Sequence, residues 1–282
     1  MVLVAQLPMR AAEGNEDITA VSSSASKDYI RAKLPNGTFQ PENYTFAKGG
    51  KWNGTVHDET IDKLGFMDIA RIIAVPLATQ NYLPAKDPNK TRLMIMVYWG
   101  TTDVPGPIST SDGYLNYQTS IQQYQGLLVT DPNMAQSVLN SGLIQLSMEN
   151  KQRDHLDYEN AKMLGYDSEG LIGTEYGQMI EKTALKEHRD DLIAEIEDSR
   201  YFVVLMAYDF QMLWKQKKNK LLWETRFSIR ERGNDFGKTL PAMAQYASQY
   251  FGKDSNGLIR KPLPEGTVEV GEPRSLGAVP EK

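Results

Sequence analysis

Three stretches of the chain carry strong hydrophobic patterns. "RLMIMVYWG", from Arg92 to Gly100, and "RYFVVLMAYDFQMLW", from Arg200 to Trp214, are apolar almost without interruption. That length and composition predict strands covered on both faces. "LLWETRFSI" alternates instead: Leu221, Trp223, Thr225, Phe227 and Ile229 fall on one side, and Leu222, Glu224, Arg226 and Ser228 on the other. A period of two predicts a half-buried antiparallel strand. The lysine-rich "KQKKNK" between the second and third stretches predicts the turn of a hairpin. A shorter strand is predicted at Tyr44 to Ala47.

Helical spacing takes over elsewhere. In "DETIDKLGFMDIARIIAVPLATQNY", Ile61, Leu64, Ile69, Ile72, Ile73 and Leu77 share a face. Asp58 is placed to cap this helix, and Pro76 is expected to kink or divide it. Tyr114 to Glu197 reads as helical, with breaks at "VTDPN" and "GYDSEGLIG". Asp131 is a natural N-cap, with Pro132 at the first helical position. Near the end of this segment, Met179, Leu185, Leu192, Ile193 and Ile196 gather on one face. A last helix is expected from Asp235 to Phe251.

The expected fold is an α/β (α+β) sandwich: a mixed sheet of three to five strands packed by helices, with a helical insertion over about 114–197. Residues 1–34 read as a flexible lead-in, 35–252 as the folded domain, and 253–282 as a Pro- and Gly-rich tail extended over the surface.

Composition narrows the function classes. The 282 residues include no cysteine, which excludes disulfides, thiolate catalysis and Cys-ligated metal sites. The net charge of −5 argues against a nucleic-acid partner held by a broad basic face. No apolar run reaches the ~20 residues of a membrane span. The start "MVLVAQLPMRAAEG" lacks the basic n-region of an intact signal peptide, so export would entail a leader already removed.

Four candidate sites remain. "GNDFGKT", Gly233 to Thr239, resembles a phosphate loop, but its glycines are one residue too close for the Walker spacing. A capped loop-to-helix connection is the preferred reading. His57, beside Asp58 and Glu59, is the best of three histidines for a base tuned by a carboxylate. His155 and His188 lie in charged helical stretches without metal-ligand spacing. Trp214, Lys215, Lys217, Lys218 and Lys220 combine cations with an aromatic, a pattern suited to anionic headgroups or to a solvated turn. Tyr117 and Tyr124, seven residues apart, share a helix face that suits either a protein partner or core packing. The sequence points to no cofactor and no metal.

The run "DLIAEIEDSRYFVVLMAYDFQMLWKQKKNKLLWETRFSI" and the Ala-rich helix after it resemble bacterial envelope proteins and lipoproteins with a TolB-amino-terminal or CsgG-like α/β domain. In those a buried strand leads into a hairpin whose return strand carries a Trp like Trp223. "FMDIARIIAVPLATQNY" before "RLMIMVYWG" fits the same order. The helical segment departs from the compact family pattern, and there is no lipobox Cys. The resemblance implies a periplasmic or outer-membrane-associated location and a binding or assembly role, and it carries over no functional residues. A non-enzymatic envelope protein with a protein partner or self-association is therefore the first expectation. Membrane contact would be made through the lysine-rich hairpin. A hydrolase using His57 and nearby carboxylates, a nucleotide binder through Gly233–Thr239, and a cytoplasmic location are the alternatives.

Overall fold

The computed structural model describes residues 18–54, 57–166 and 183–262, with the backbone alone over 183–189. In chain order the elements are β1 (Ile18–Ala25), β2 (Glu42–Trp52), α1 (Glu59–Asp62), α2 (Phe66–Thr79), β3 (Tyr82–Pro84) and β4 (Leu93–Thr101). The insertion supplies α3 (Asp112–Leu127), α4 (Pro132–Leu164) and α5 (Thr183–Ile196). Then come β5 (Arg200–Asp209), α6 (Phe210–Gln216), β6 (Leu221–Arg230), α7 (Phe236–Ala247) and β7 (Ile259–Pro262). The fold is α/β, with one mixed sheet in the order β3-β2-β4-β5-β6-β1-β7.

The apolar runs occupy the centre of this sheet. β4 pairs antiparallel with β5, and β5 with β6. Leu93, Ile95, Val97 and Trp99 of β4 enter one core with Tyr201, Val203 and Leu205 of β5. α2 covers that face through Ile69, Ile73 and Leu77, and α7 through Phe236, Leu240, Met243 and Ala247. On the opposite face Ala20, Phe202 and Val204 pack against Ala161, Leu164 and Tyr166 at the end of α4, and against Leu192 and Ile196 of α5. The central strands are therefore apolar on both sides because helices lie on both sides.

Trp223 anchors the main core. Its ring lies 5.7 Å from that of Phe251, nearly parallel, and 5.8 Å from that of Tyr82. The alternation of β6 holds from Trp223 onward. At its start a register shift opposite Ala207 and Tyr208 turns Leu222 into the core and leaves Leu221 exposed. An extra residue in one strand reverses the facing of what precedes it, so strict alternation fails at a bulge.

Several expectations are corrected. Among the described residues the sheet has seven strands, not three to five. Ile18–Ala25, expected to be flexible, is an inner strand between β6 and β7. Its serines mislead because burial requires only that each hydroxyl find a partner. Ser23 Oγ lies 2.7 Å from Thr225 Oγ1, and the carbonyls of Glu224 at 2.9 Å and Tyr250 at 3.0 Å are both within reach of its single proton. The start of the tail, Ile259–Pro262, pairs with β1 instead of lying over the surface. The folded unit thus runs beyond 35–252 at both ends. The helix expected from Asp58 to Tyr82 divides at Gly65, the N-cap of α2, and α2 continues through Pro76 to Thr79. "FQMLWKQ" is a helical turn, α6, instead of strand. Asp131 caps α4 as expected, accepting from Met134 N at 3.0 Å. Residues 1–17, all of the "GYDSEGLIG" break after Tyr166, Met179 and the tail from 263 lie outside the described residues, as does the side chain of Leu185.

Trp223→Ala should lower unfolding stability by about 3–5 kcal/mol, read from the urea midpoint. Trp223→Phe should lose far less, because the indole N–H has no hydrogen-bond partner in the core to forfeit.

Candidate functional site

The insertion leaves the sheet through a narrow neck. Thr102 N donates to Arg200 O at 3.0 Å, and Arg200 N donates back to Thr102 Oγ1 at 3.0 Å, across 98 residues. Arg200 is buried, and its Nε donates to Ser228 Oγ at 3.2 Å. Asn160 of α4 donates to Asp103 O at 2.7 Å, which fixes α4 to the departing chain. Gly165, at φ +82°, ends α4 in the left-handed conformation, against Ser22 and Arg226 of the sheet.

Beyond the neck α3 and α4 pair as an antiparallel hairpin. α4 has 33 residues. Its buried sheet contacts lie at Asn160, Ala161 and Leu164, so roughly 40 Å of helix precedes the neck at 1.5 Å per residue. Small residues bring the two helices close: a Cβ on Gly142 would fall 2.6 Å from Ser120 Cβ and 3.2 Å from Tyr117 Cα. Tyr117 and Tyr124 are half-buried on the α3 face that meets α4 at Gly142. They belong to the helix–helix seam more than to an open partner surface.

What the hairpin presents outward is aliphatic. Leu143, Ile144 and Met148 of α4 are exposed at 43%, 56% and 62%, and Leu128, Val129 and Met134 stand exposed around the tip. Where α3 begins, a cleft of about 510 Å³ runs against α4. Of its charged side chains, Glu149 and Arg153 are matched to each other. Glu149 accepts from Gly113 N at 2.7 Å and pairs with Arg153, which also donates to Gly106 O. The Ser111 hydroxyl, ahead of the Gly113 amide and Arg153, holds the Glu149 carboxyl below its usual range against the effect of burial.

His57 lies beside a cavity of about 250 Å³ lined by Lys51, Trp52, Asp58, Asp62 and Thr101 among others. Its Nδ1 is 3.0 Å from Asp62 Oδ2, and the side chain is 86% exposed. Asp62 is also paired with Lys51, whose ammonium holds the carboxyl below its usual range. Asp58 is committed elsewhere. It caps α1 by accepting from Thr60 N at 2.6 Å, and it accepts the hydroxyl of buried Tyr201. Burial opposes ionisation of Asp58, but the Tyr201 and Thr60 hydrogen bonds outweigh it and lower the pKa. Burial, then Asp58, raises that of Tyr201. The imidazole therefore has a carboxylate to orient it and water around it. No nucleophile is hydrogen-bonded to it among the described residues, and the dyad does not complete an acyl-transfer site.

Gly233–Thr239 forms a helix cap. Asp235 accepts from Lys238 N at 3.1 Å, filling the helix N-terminus with its own carboxylate. Lys238 Nζ pairs with the same group at 3.4 Å, and Thr239 Oγ1 donates back to Asp235 O. Phe236 N donates to Thr60 Oγ1, and Tyr201 reaches Asn234 O, so the loop ties α7 to α1.

Trp214, Lys215, Lys217, Lys218 and Lys220 are brought together by α6 and the turn after it. Trp214 is 41% exposed and stacks on Phe210 at 6.0 Å. Lys217 adopts φ 57° as the helix C-cap, and Lys220 pairs with Asp28 at 3.1 Å. His155 is an exposed helix-face residue, and the side chain of His188 lies outside the described residues. Among the described residues no three His, Asp or Glu side chains gather as metal ligands. The exposed aliphatics of α4 are the feature sequence reasoning missed. Counting Leu143, Ile144 and Met148 against the seam residues Ala135 and Gly142 gives the signal: α4 is apolar on more of its surface than one partner helix covers.

Asp157, near the neck on α4, supplies a test of how the hairpin is held. Burial first, then Glu197 and Asp154, pushes its carboxyl up to about 6. Its Oδ1 is buried without a hydrogen-bond partner among the described residues. A carboxyl whose folded pKa is raised favours the fold while protonated, so this contribution is full below about pH 4 and lost as pH rises through about 6. Asp157→Asn should raise the melting temperature at pH 7.5, and the difference from wild type should shrink to nothing by about pH 4. Tyr201→Phe should raise the Asp58 pKa toward its ordinary value, read by NMR titration of the carboxyl carbon, and lower stability by about 1–3 kcal/mol at neutral pH.

No family model matches the chain, and no curated protein is significantly similar to it. Among solved structures, a crystal structure of a PDZ domain protein from Parabacteroides distasonis aligns with 86% of this chain at 10% identity and a TM-score of 0.40. The chain spans 38% of that protein's length. A likeness that shallow carries nothing about what this chain does.

Proposed function

We propose that this is a non-enzymatic binding or assembly protein of the bacterial envelope, working through its α3–α4 hairpin. The observation that carries this is the hairpin itself. Two helices stand off the sheet on a hydrogen-bonded neck and expose Leu143, Ile144 and Met148 along one side. Exposed aliphatics on an extended helix face suit a protein partner or a second copy of the chain. The exposure of His57 weakens the hydrolase reading, because a solvated imidazole encloses no sheltered site for a reacting group. The filled helix N-terminus at Asp235 weakens the nucleotide reading in the same way. The envelope location is supported by the resemblance carried by the β5–β6 hairpin, its Trp223 and the helix that follows.

Incorporation of a photo-crosslinking phenylalanine at Ile144 tests the reading in cells. Adducts should form at Ile144 and not at Val75, an exposed position on α2. Equal labelling at both sites, or none at Ile144, would sink it. Cell fractionation should place the protein with periplasmic or outer-membrane markers, and recovery with cytoplasmic markers alone would reject the location.

A further inference from the structure

The end of the sheet opposite the hairpin gathers positive charge from four separate connections. The strand pairings bring to one end the close of β1, the starts of β2, β3, β4 and β6, and the close of β5. Residues 26–41 contribute Lys27, Arg31 and Lys33 there, and residues 85–92 contribute Lys86, Lys90 and Arg92. Residues 210–220 add four lysines and no acid, and residues 248–258 add Lys253. These four segments hold eleven Lys and Arg against three Asp, a net of +8 in a chain whose total is −5. The insertion, residues 102–199, holds 17 Asp and Glu against six Lys and Arg. The acidic total thus conceals a basic end, while the described α3–α4 hairpin, residues 112–164, holds six Asp and Glu against three Lys and Arg.

The basic end is poorly neutralised. Lys220 pairs with Asp28, and Arg92 with the buried Glu42 at 3.5 Å. Lys27, Lys33, Lys86, Lys90, Lys215 and Lys218 are exposed, and among the described residues none has an acidic partner. Arg31, Lys33 and Lys253 surround the ring of Phe39 at 4.4, 5.7 and 5.2 Å. Burial first, then Arg31 and Lys33, lowers the Lys253 pKa. Charges held this close without counter-ions favour an external anion.

The same end exposes apolar side chains. Ile30 is 80% exposed, Leu83 and Trp214 each 41%, Leu34 39% and Leu221 36%. Lysines interspersed with aliphatics and a tryptophan match the water–bilayer boundary, where the ring and methyl groups enter the headgroup layer and the ammonium groups meet lipid phosphates. A single-stranded nucleic acid would instead favour a series of stacking rings, and Trp214 stands without such a series. We infer that this end of the sheet docks on an anionic lipid surface, with the acidic hairpin turned away from it. The surface lies at the other end of the molecule from Ile144, so loss of either activity leaves the other measurable.

Sedimentation of the whole protein with vesicles tests this. Phosphatidylcholine vesicles are compared with vesicles containing about 30% phosphatidylglycerol. Binding should require the anionic lipid and fall at least tenfold when salt is raised to about 0.5 M. The triple variant Lys215→Glu, Lys217→Glu, Lys218→Glu should weaken binding tenfold or more. Lys33→Glu with Lys253→Glu, on two other connections, should weaken it as well, and Lys151→Glu on α4 should not. Circular dichroism of each variant confirms folding, and two variants on different segments keep one misfolded protein from deciding the result. Equal binding to neutral vesicles, no binding to either, loss caused equally by Lys151→Glu, or displacement from vesicles by a single-stranded oligonucleotide that the protein prefers would each overturn the proposal.

Discussion

The antiparallel ladder between β4 and β5 is the constraint on which the rest of this protein depends. It pairs Leu93–Thr101 with Tyr201–Asp209, two runs separated by the whole insertion. Closing so long an excursion carries a substantial entropic cost, which local contacts cannot offset. What offsets it is burial of Ile95, Val97, Val203 and Leu205 beneath α2 and α7, together with the reciprocal Thr102–Arg200 hydrogen bonds at the neck. Once that ladder is closed, both ends of the insertion emerge side by side. The hairpin can then extend without disturbing the sheet.

The two ends of the sheet consequently have different chemistry. At the neck end, polar side chains are spent on structure: Asp58 on Tyr201 and α1, Asp235 on α7, Glu149 on α3. Groups that a sequence reader would nominate for catalysis are satisfying helix ends and buried hydroxyls. At the far end, lysines from three connections have no acidic partner among the described residues, beside exposed Ile30 and Trp214. Polar groups that a fold leaves unsatisfied point to function more readily than those it has already paired.

The central part of the fold was legible in the sequence. The run at 92–100, the run from Arg200 as far as Asp209, the alternation once past Leu222 and the Asp131–Pro132 helix start are local patterns, and each appears in place within a residue. β1, β3 and β7 were not legible. β3 is three residues long, β7 four, and β1 is rich in serine, so none carries enough apolar period to register. They become strands because β2 offers an open ladder edge to β3, β6 one to β1, and β1 in turn one to β7, which is a property of the assembled sheet. Of the candidate sites, the sequence located the Lys215–Lys220 cluster. It could not show that Lys33, Lys86 and Lys253 stand at the same end.

The sequence by itself determined the α/β class, the absence of thiol chemistry, the central strands and the existence of a long helical insertion, because those depend on local composition and periodicity. Only the tertiary structure decided that His57 is solvated, that "GNDFGKT" caps a helix, that Tyr117 faces a neighbouring helix, and that scattered lysines form one basic end. Exposure, hydrogen-bond partners and summed charge depend on residues distant in the chain being brought together, and the strand order does that.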